Sequence, residues 1–268
     1  MTPAEHREAV LAWRAARDAR LRDPDGWLTL IGLHWLTPGE NRLGSDPDND
    51  LVVRSSHVPS HAGSLVLVGG SVVLRREGRV DEPLQTDLSG EPTILRFGPI
   101  HAHVIERAGR FALRVRDREH PALDSFAGME HFPIDPGWRL TGRFEPAPAG
   151  SLLEIMDVTG SMAPEEIPGA VTFERDGSAW RIQALPGGDD GSLWLIFADG
   201  TSGRTTYGGG RFLYTEPVGA DRTVVVDFNL AYNPPCVFSS FATCPLPPAV
   251  NRLALPIDAG ERGYVEHA

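Results

Sequence analysis

The sequence predicts a mainly β protein, with antiparallel β-sandwich or barrel units and one short N-terminal helix. Three observations carry this reading. After residue 26 the chain breaks into short apolar runs. Clusters of Gly, Asp and Pro separate them, and the 29 Gly and 23 Pro supply many turns. No helix-length amphipathic segment lies between successive runs, which points to antiparallel pairing rather than βαβ units.

The elements follow in chain order. Residues 3–22 form the helix: Thr2 is its N-cap, Pro3 suits the first position and Glu5 completes a capping box. Ala9, Ala12, Trp13, Ala16 and Ala19 make its expected docking stripe, with Arg7, Arg14, Arg17 and Arg22 around the rest. Asp23-Pro-Asp-Gly26 stops it. The expected strands are Trp27–Leu33, Leu51–Arg54, Ser64–Val68, Ser71–Arg75, Thr93–Phe97, Ala102–Glu106 and Phe111–Arg116. Then come Trp138–Phe144, Leu152–Val158, Ala170–Glu174, Trp180–Ala184, Leu193–Phe197, Gly210–Tyr214 and Thr223–Asp227. Residues 68–71 and 175–178 read as hairpin turns. At roughly 150 residues per domain, 268 residues suit one or two units. The Pro-Ala-Pro-Ala-Gly stretch ending at Gly150 places a soft boundary between 1–144 and 145–268, with one continuous body as the alternative.

Composition excludes several chemistries. All 25 basic residues are Arg, so a Schiff-base lysine and a lysine-bearing phosphate loop are both ruled out. A net charge of −11 argues against nucleic acid and anionic membranes as partners. The N-terminus lacks the apolar run of a signal peptide, and two cysteines fit a reducing compartment, so the expected location is the cytoplasm. The G-x-S-x-G, H-E-x-x-H and G-x-G-x-x-G patterns are absent.

Three constellations remain. His101 and His103 share one strand face, where both imidazoles can reach a metal, and Cys236 and Cys244 are further ligand candidates. Arg114 and Arg116 also share a face, an anion site if it points inward and a solvated surface if not. The densest run is Thr206-Tyr-Gly-Gly-Gly-Arg-Phe-Leu-Tyr214, then Asp227-Phe-Asn-Leu-Ala-Tyr-Asn-Pro-Pro-Cys236, then Cys244-Pro-Leu-Pro-Pro248 with Asn251-Arg252 and Ala259-Gly-Glu261. Two readings are open for it. One is a ligand site on a rigid polar loop; the other is a plug whose Asn and Arg satisfy buried backbone. Cys236 and Cys244 are equally open to a disulfide or redox pair, a metal pair, or two inert thiols.

The same C-terminal run, with Gly-Leu-His-Trp near residue 34 and Phe132-Pro-Ile-Asp-Pro-Gly-Trp138, resembles a widespread bacterial family of unknown function. That resemblance implies one unit and no assigned activity or cofactor. Residues 43–63 resemble the opening of a forkhead-associated domain, which implies phosphopeptide recognition. The segment departs from that pattern at Ser45 and Val58, where the family carries phosphate-contacting residues.

The leading expectation is an enzyme or binding protein for a small anionic molecule, in a pocket between strand 206–214 and loop 227–252. Arg211 and Arg252 clamp the anion, while Tyr207, Asn229, Tyr232, Asn233 and Asn251 orient it. Asp227 or Glu261 is the acid or base. A metal protein using His101, His103, Cys236 and Cys244, and an interaction module built on residues 43–63, are the alternatives.

Overall fold

A computed structural model describes residues 1–264. It is mostly β, and its chain divides into two compact units: residues 1–20, 127–238 and 243–268, and residues 21–126 and 239–242. The division falls at residue 126, not at the Pro-Ala stretch, because Phe144 through Pro146 continue a strand. Among the described residues no helix is long and apolar enough to cross a membrane.

The single long helix is α1 (Pro3–Leu21). Its capping box is formed: the Glu5 amide donates to Thr2 Oγ1 at 3.2 Å, and the Thr2 amide donates to Glu5 Oε2 at 2.7 Å. The docking face differs from the expected Ala stripe. Ala9, Ala12, Ala16 and Ala19 are exposed, whereas His6, Val10 and Arg17 are buried. Helical spacing permits this face, and buried acids described below make its two polar residues tolerable.

The second unit is a sandwich. Its strands are β1 (Leu30–Trp35), β2 (Gly39–Gly44), β3 (Leu51–Val52), β4 (Gly63–Val68), β5 (Ser71–Arg75), β6 (Glu82–Leu84), β7 (Leu95–Phe97), β8 (Ile100–Arg107) and β9 (Arg110–Asp117). They form a sheet β3-β2-β4-β5-β6 and a sheet β1-β9-β8-β7. Leu43, Leu65 and Leu74 of the first share a core with Ile100, Val104, Leu113 and Val115 of the second. At roughly 1.5–3 kcal/mol per buried aliphatic side chain, this core dominates the unit's stability. Pairing is antiparallel except for the short β2–β3 contact.

The forkhead-like segment lies here, and its polar groups serve its own turn. Asn49 Nδ2 donates to Asp46 O at 2.8 Å and Ser60 O at 2.7 Å, and the Asp48 amide donates to Asp46 Oδ1. A Cβ on Gly44 would sit 2.0 Å from Ser60 O, so this close approach requires glycine.

The other unit holds β10 (Arg139–Pro146), β11 (Leu152–Met156), β12 (Met162–Glu166), β13 (Gly169–Arg175), β14 (Ser178–Pro186), β15 (Leu193–Phe197), β16 (Arg211–Tyr214) and β17 (Thr223–Asp227). The main sheet runs β16-β15-β14-β13-β10-β17, antiparallel throughout, and β11 and β12 form a ribbon. Phe228 anchors its core, meeting Trp138, Phe173 and Phe197 edge-on at 5.9, 5.4 and 5.5 Å. Residues 251–259 run along this core, alternating buried and exposed. Both expected hairpins are present, pairing Val68 with Ser71 and Arg175 with Ser178.

Candidate functional site

The C-terminal run converges on the core and lower edge of the six-stranded sheet, and most of its polar groups are spent holding backbone. Arg211, at the start of β16, is fully buried. Its guanidinium donates to Asp199 Oδ2 at 2.7 Å, to Ile257 O at 2.9 Å and to Ala259 O. Asp199 is held in turn by the Thr201 amide at 2.7 Å and the Thr201 hydroxyl at 2.5 Å. Arg211 therefore fastens residues 257–259 to the sheet, and no ligand can reach it. Arg252 points to solvent, because the period-two alternation that buries Asn251 and Leu253 turns it outward. The expected Arg211–Arg252 anion clamp is thus not assembled. Asn251 is also structural: it accepts from the Gln183 amide and donates to Gln183 O and Ile196 O.

Two further parts of the run pair with α1. Asp227 ends β17 and is buried. Its Oδ2 lies 2.6 Å from His6 Nε2, and its Oδ1 accepts from the Asn229 amide and from Asn229 Nδ2. Asn229 completes a two-way bridge to the backbone of Asp135. Glu261 is fully buried. Its Oε1 accepts from Arg17 Nε at 3.1 Å and its Oε2 from the Asn233 amide at 2.7 Å. Burial pushes the Glu261 carboxyl above its ordinary range, against the pull of Arg17. Arg17 also donates to Asn233 O and lies over the Tyr232 and Phe238 rings at 4.8 and 5.8 Å. Tyr232 packs against Trp13, Phe212 and Tyr214. Burial is the main cause raising its hydroxyl pKa. These carboxylates sit in closed networks, so neither Asp227 nor Glu261 is presented to a substrate as the sequence suggested.

The sequence pattern does not single out His6, and it sets Arg17 off the docking stripe although Arg17 is buried. The available signal was spacing: eleven residues apart, about three turns, they lie on one helix face with Val10 between them.

One corner of the run is different. Tyr207 and Cys236 are both half-buried, and the Tyr207 phenol is among the neighbours that act on the Cys236 thiol. Cys244 is buried, and the Cys236 amide donates to Cys244 Sγ at 3.1 Å. The two cysteines are not joined by a disulfide. The Cys244 bond, opposed by burial and aided by Tyr207, brings the Cys236 thiol down to about 7. Burial and this neighbour raise the Tyr207 phenol.

The triple glycine makes the contact possible. A Cβ on Gly209 would lie 2.4 Å from the Tyr207 ring, so a side chain there would push the ring off its seat. Gly210, at φ +85, would meet Pro247 at 2.4 Å and Phe197 O at 2.5 Å. Strand 206–214 and loop 227–252 meet where Phe212 bridges to Tyr232 and where Tyr207 lies beside Cys236.

The metal reading fares poorly at His101 and His103. Burial lowers both imidazoles first, helped by Arg118 and Arg96 at His101 and by Arg114 and Arg116 at His103, and these guanidinium groups would repel a cation. Among the described residues, the grouping with metal-ligand spacing is the half-exposed to exposed set Asp46, Asp48 and His61.

The comparison that decides kinship is with the family model described as "Protein of unknown function (DUF1684)", which matches residues 124–262. The chain belongs to this family. The matched stretch contains Tyr207, Cys236, Cys244, Arg211 and Glu261, together with every strand of the six-stranded sheet. It excludes α1, and so the two helix residues that pair with Asp227 and Glu261. A solution NMR structure of an uncharacterized protein of Haloarcula marismortui is similar at 29% identity and a TM-score of 0.44. The similarity covers 54% of this chain and 80% of that one. No curated protein matches.

Proposed function

We propose that the C-terminal motif carries thiol chemistry, with Cys236 as the thiolate nucleophile and Cys236–Cys244 as a dithiol–disulfide couple. The observation that supports it is the contact of the two cysteines, with the Cys236 amide donating to Cys244 Sγ at 3.1 Å, Cys236 half-buried, and its thiol lowered by Cys244 and Tyr207. Sulfur anions are stabilised by donors, and a second thiol already in contact can resolve a mixed disulfide without a large backbone change.

The electron balance is closed by an external disulfide as oxidant. The Cys236 thiolate attacks one of its sulfurs; that S–S bond breaks and one thiolate leaves with the electron pair. Cys244 gives its proton to solvent and attacks Cys236 Sγ. The Cys236–Cys244 bond forms, and the second thiolate leaves. Two protein thiols are oxidised and one external disulfide is reduced.

The pH profile of alkylation tests this better than a single rate. A thiol near pKa 7 is about half ionised at pH 7, against about 3% for an ordinary thiol near 8.5. Its intrinsic nucleophilicity is lower by about fivefold for that drop at a Brønsted slope of 0.4–0.5, so the net gain at pH 7 is only about threefold. The expected result is iodoacetamide modification of Cys236, followed by intact mass, with an inflection near pH 7. Tyr207→Phe and Cys244→Ser each move that inflection upward. An inflection at 8.5 or above, indifferent to both substitutions, overturns the reading.

A further inference from the structure

The sandwich unit carries a second feature, independent of the thiols. On the face of sheet β1-β9-β8-β7 turned away from the core, cross-strand registry sets arginines opposite histidines. Arg96 on β7 pairs with His101 on β8, and His101 pairs with Arg116 on β9. Two residues further along, His103 pairs with Arg114. Asp87 acts on the His103–Arg114 end of this row.

The row floors a cavity of about 490 Å³ lined by Arg96, Arg116, Arg118, His101 and His103, with Asp25, Glu91 and Ile94. Arg116 is fixed from below: it donates to Gly26 O, and its guanidinium carbon lies 5.4 Å from the Trp27 ring centre. Arg96 and Arg118 stand exposed at the rim. Asp25 shows what the cavity accepts. Its exposed carboxylate reaches in to 3.3 Å from Arg118 Nε and 3.6 Å from His101 Nδ1. Three guanidinium groups against two exposed carboxylates leave a positive cavity on a chain of net charge −11.

We infer that this cavity is a binding site for a small oxyanion-bearing molecule, a phosphate or a carboxylate, gripped by Arg96, Arg116 and Arg118 and hydrogen-bonded by His101 and His103. Arginine's planar fork suits both groups. The anionic ligand class expected from the C-terminal run thus finds its chemistry in the other unit. The buried face of the sheet, with Ile100, Ala102, Val104, Leu113 and Val115 in the core, keeps the row rigid.

The test uses the full chain with isotope-labelled histidine, titrated separately with inorganic phosphate and with acetate at constant ionic strength set by chloride. His101→Asn and His103→Asn assign the two ring signals. The expected result is a saturable shift of both signals with phosphate, acetate or both, which also names the preferred group. The half-saturation concentration should rise about tenfold in Arg96→Gln and in Arg118→Gln, rim residues whose loss spares the core. The inference is overturned if neither anion gives a saturable shift, if chloride alone reproduces it, or if both rim variants bind as the parent does. Thiol reactivity at Cys236 is measured in the same samples, so failure of either reading is visible without the other.

Discussion

Replacing Arg211 separates a fastening role from a ligand role. Arg211→Ala removes a fully buried guanidinium and leaves the Asp199 carboxylate without its counter-charge and the Ile257 and Ala259 carbonyls without their donor. Breaking one side of a buried ion pair costs about 3–5 kcal/mol, because the remaining charge stays desolvated. For a unit of this size, 1 kcal/mol moves the melting temperature by about 2–4 °C, so a loss of about 6–20 °C follows. Arg252→Ala, at an exposed position, should stay within about 0.5 kcal/mol of the parent. The double variant Arg211→Met, Asp199→Asn removes both charges and should recover much of the loss. Differential scanning calorimetry on the four proteins is the assay. An Arg211→Ala protein melting within 2 °C of the parent, with Arg252→Ala the more damaged, would refute the fastening argument.

Other outcomes follow from the same contacts. Gly209→Ala should displace the Tyr207 ring, so the alkylation inflection of Cys236 shifts upward as it does in Tyr207→Phe; an unchanged profile would mean the ring's seat is irrelevant. A fragment of residues 124–262 lacks His6 and Arg17, leaving the buried acids Asp227 and Glu261 unpaired, so it should show no cooperative unfolding by circular dichroism until residues 1–21 are restored. His103 and His131 are each held at about 4, burial first and then neighbouring arginines, against an ordinary value of 6.5. The unfolded chain therefore binds more protons between pH 6.5 and 4. The stability these neutral imidazoles contribute is complete above pH 6.5 and falls as pH drops through that window. Urea midpoints measured from pH 7 to 4 should decline, less steeply in His103→Asn and His131→Asn.

Much of the fold is legible in the sequence because apolar runs and turn residues are local signals. Ser71–Arg75, Leu193–Phe197 and Thr223–Asp227 stand where their patterns place them. Three strands carry no such pattern. β2 buries Asn41, whose amide binds Thr37 O, Gly39 O and Leu65 O, so a polar residue occupies a core position. β6 and β12 contain proline and acids, tolerable at a sheet edge and in a two-stranded ribbon.

The site was legible only in part. Spacing marks residues 206–261 as unusual, but burial decides whether an arginine grips a ligand or a carbonyl, and burial is a tertiary property. The sequence could not show that Arg211 faces inward while Arg252 faces out. Nor could it show that His6 and Arg17 would serve acids more than 200 residues away. The Tyr207–Cys236–Cys244 contact joins residues whose chemistry was visible and whose meeting was not.

Intact mass of the full chain after equilibration in dithiothreitol buffers of graded oxidised-to-reduced ratio tests the thiol couple most directly. The account predicts a reversible loss of two hydrogens with one midpoint, located by peptide mapping to Cys236–Cys244 and abolished by Cys244→Ser. Two thiols that stay free at every ratio, or that cross-link only between molecules, would contradict it.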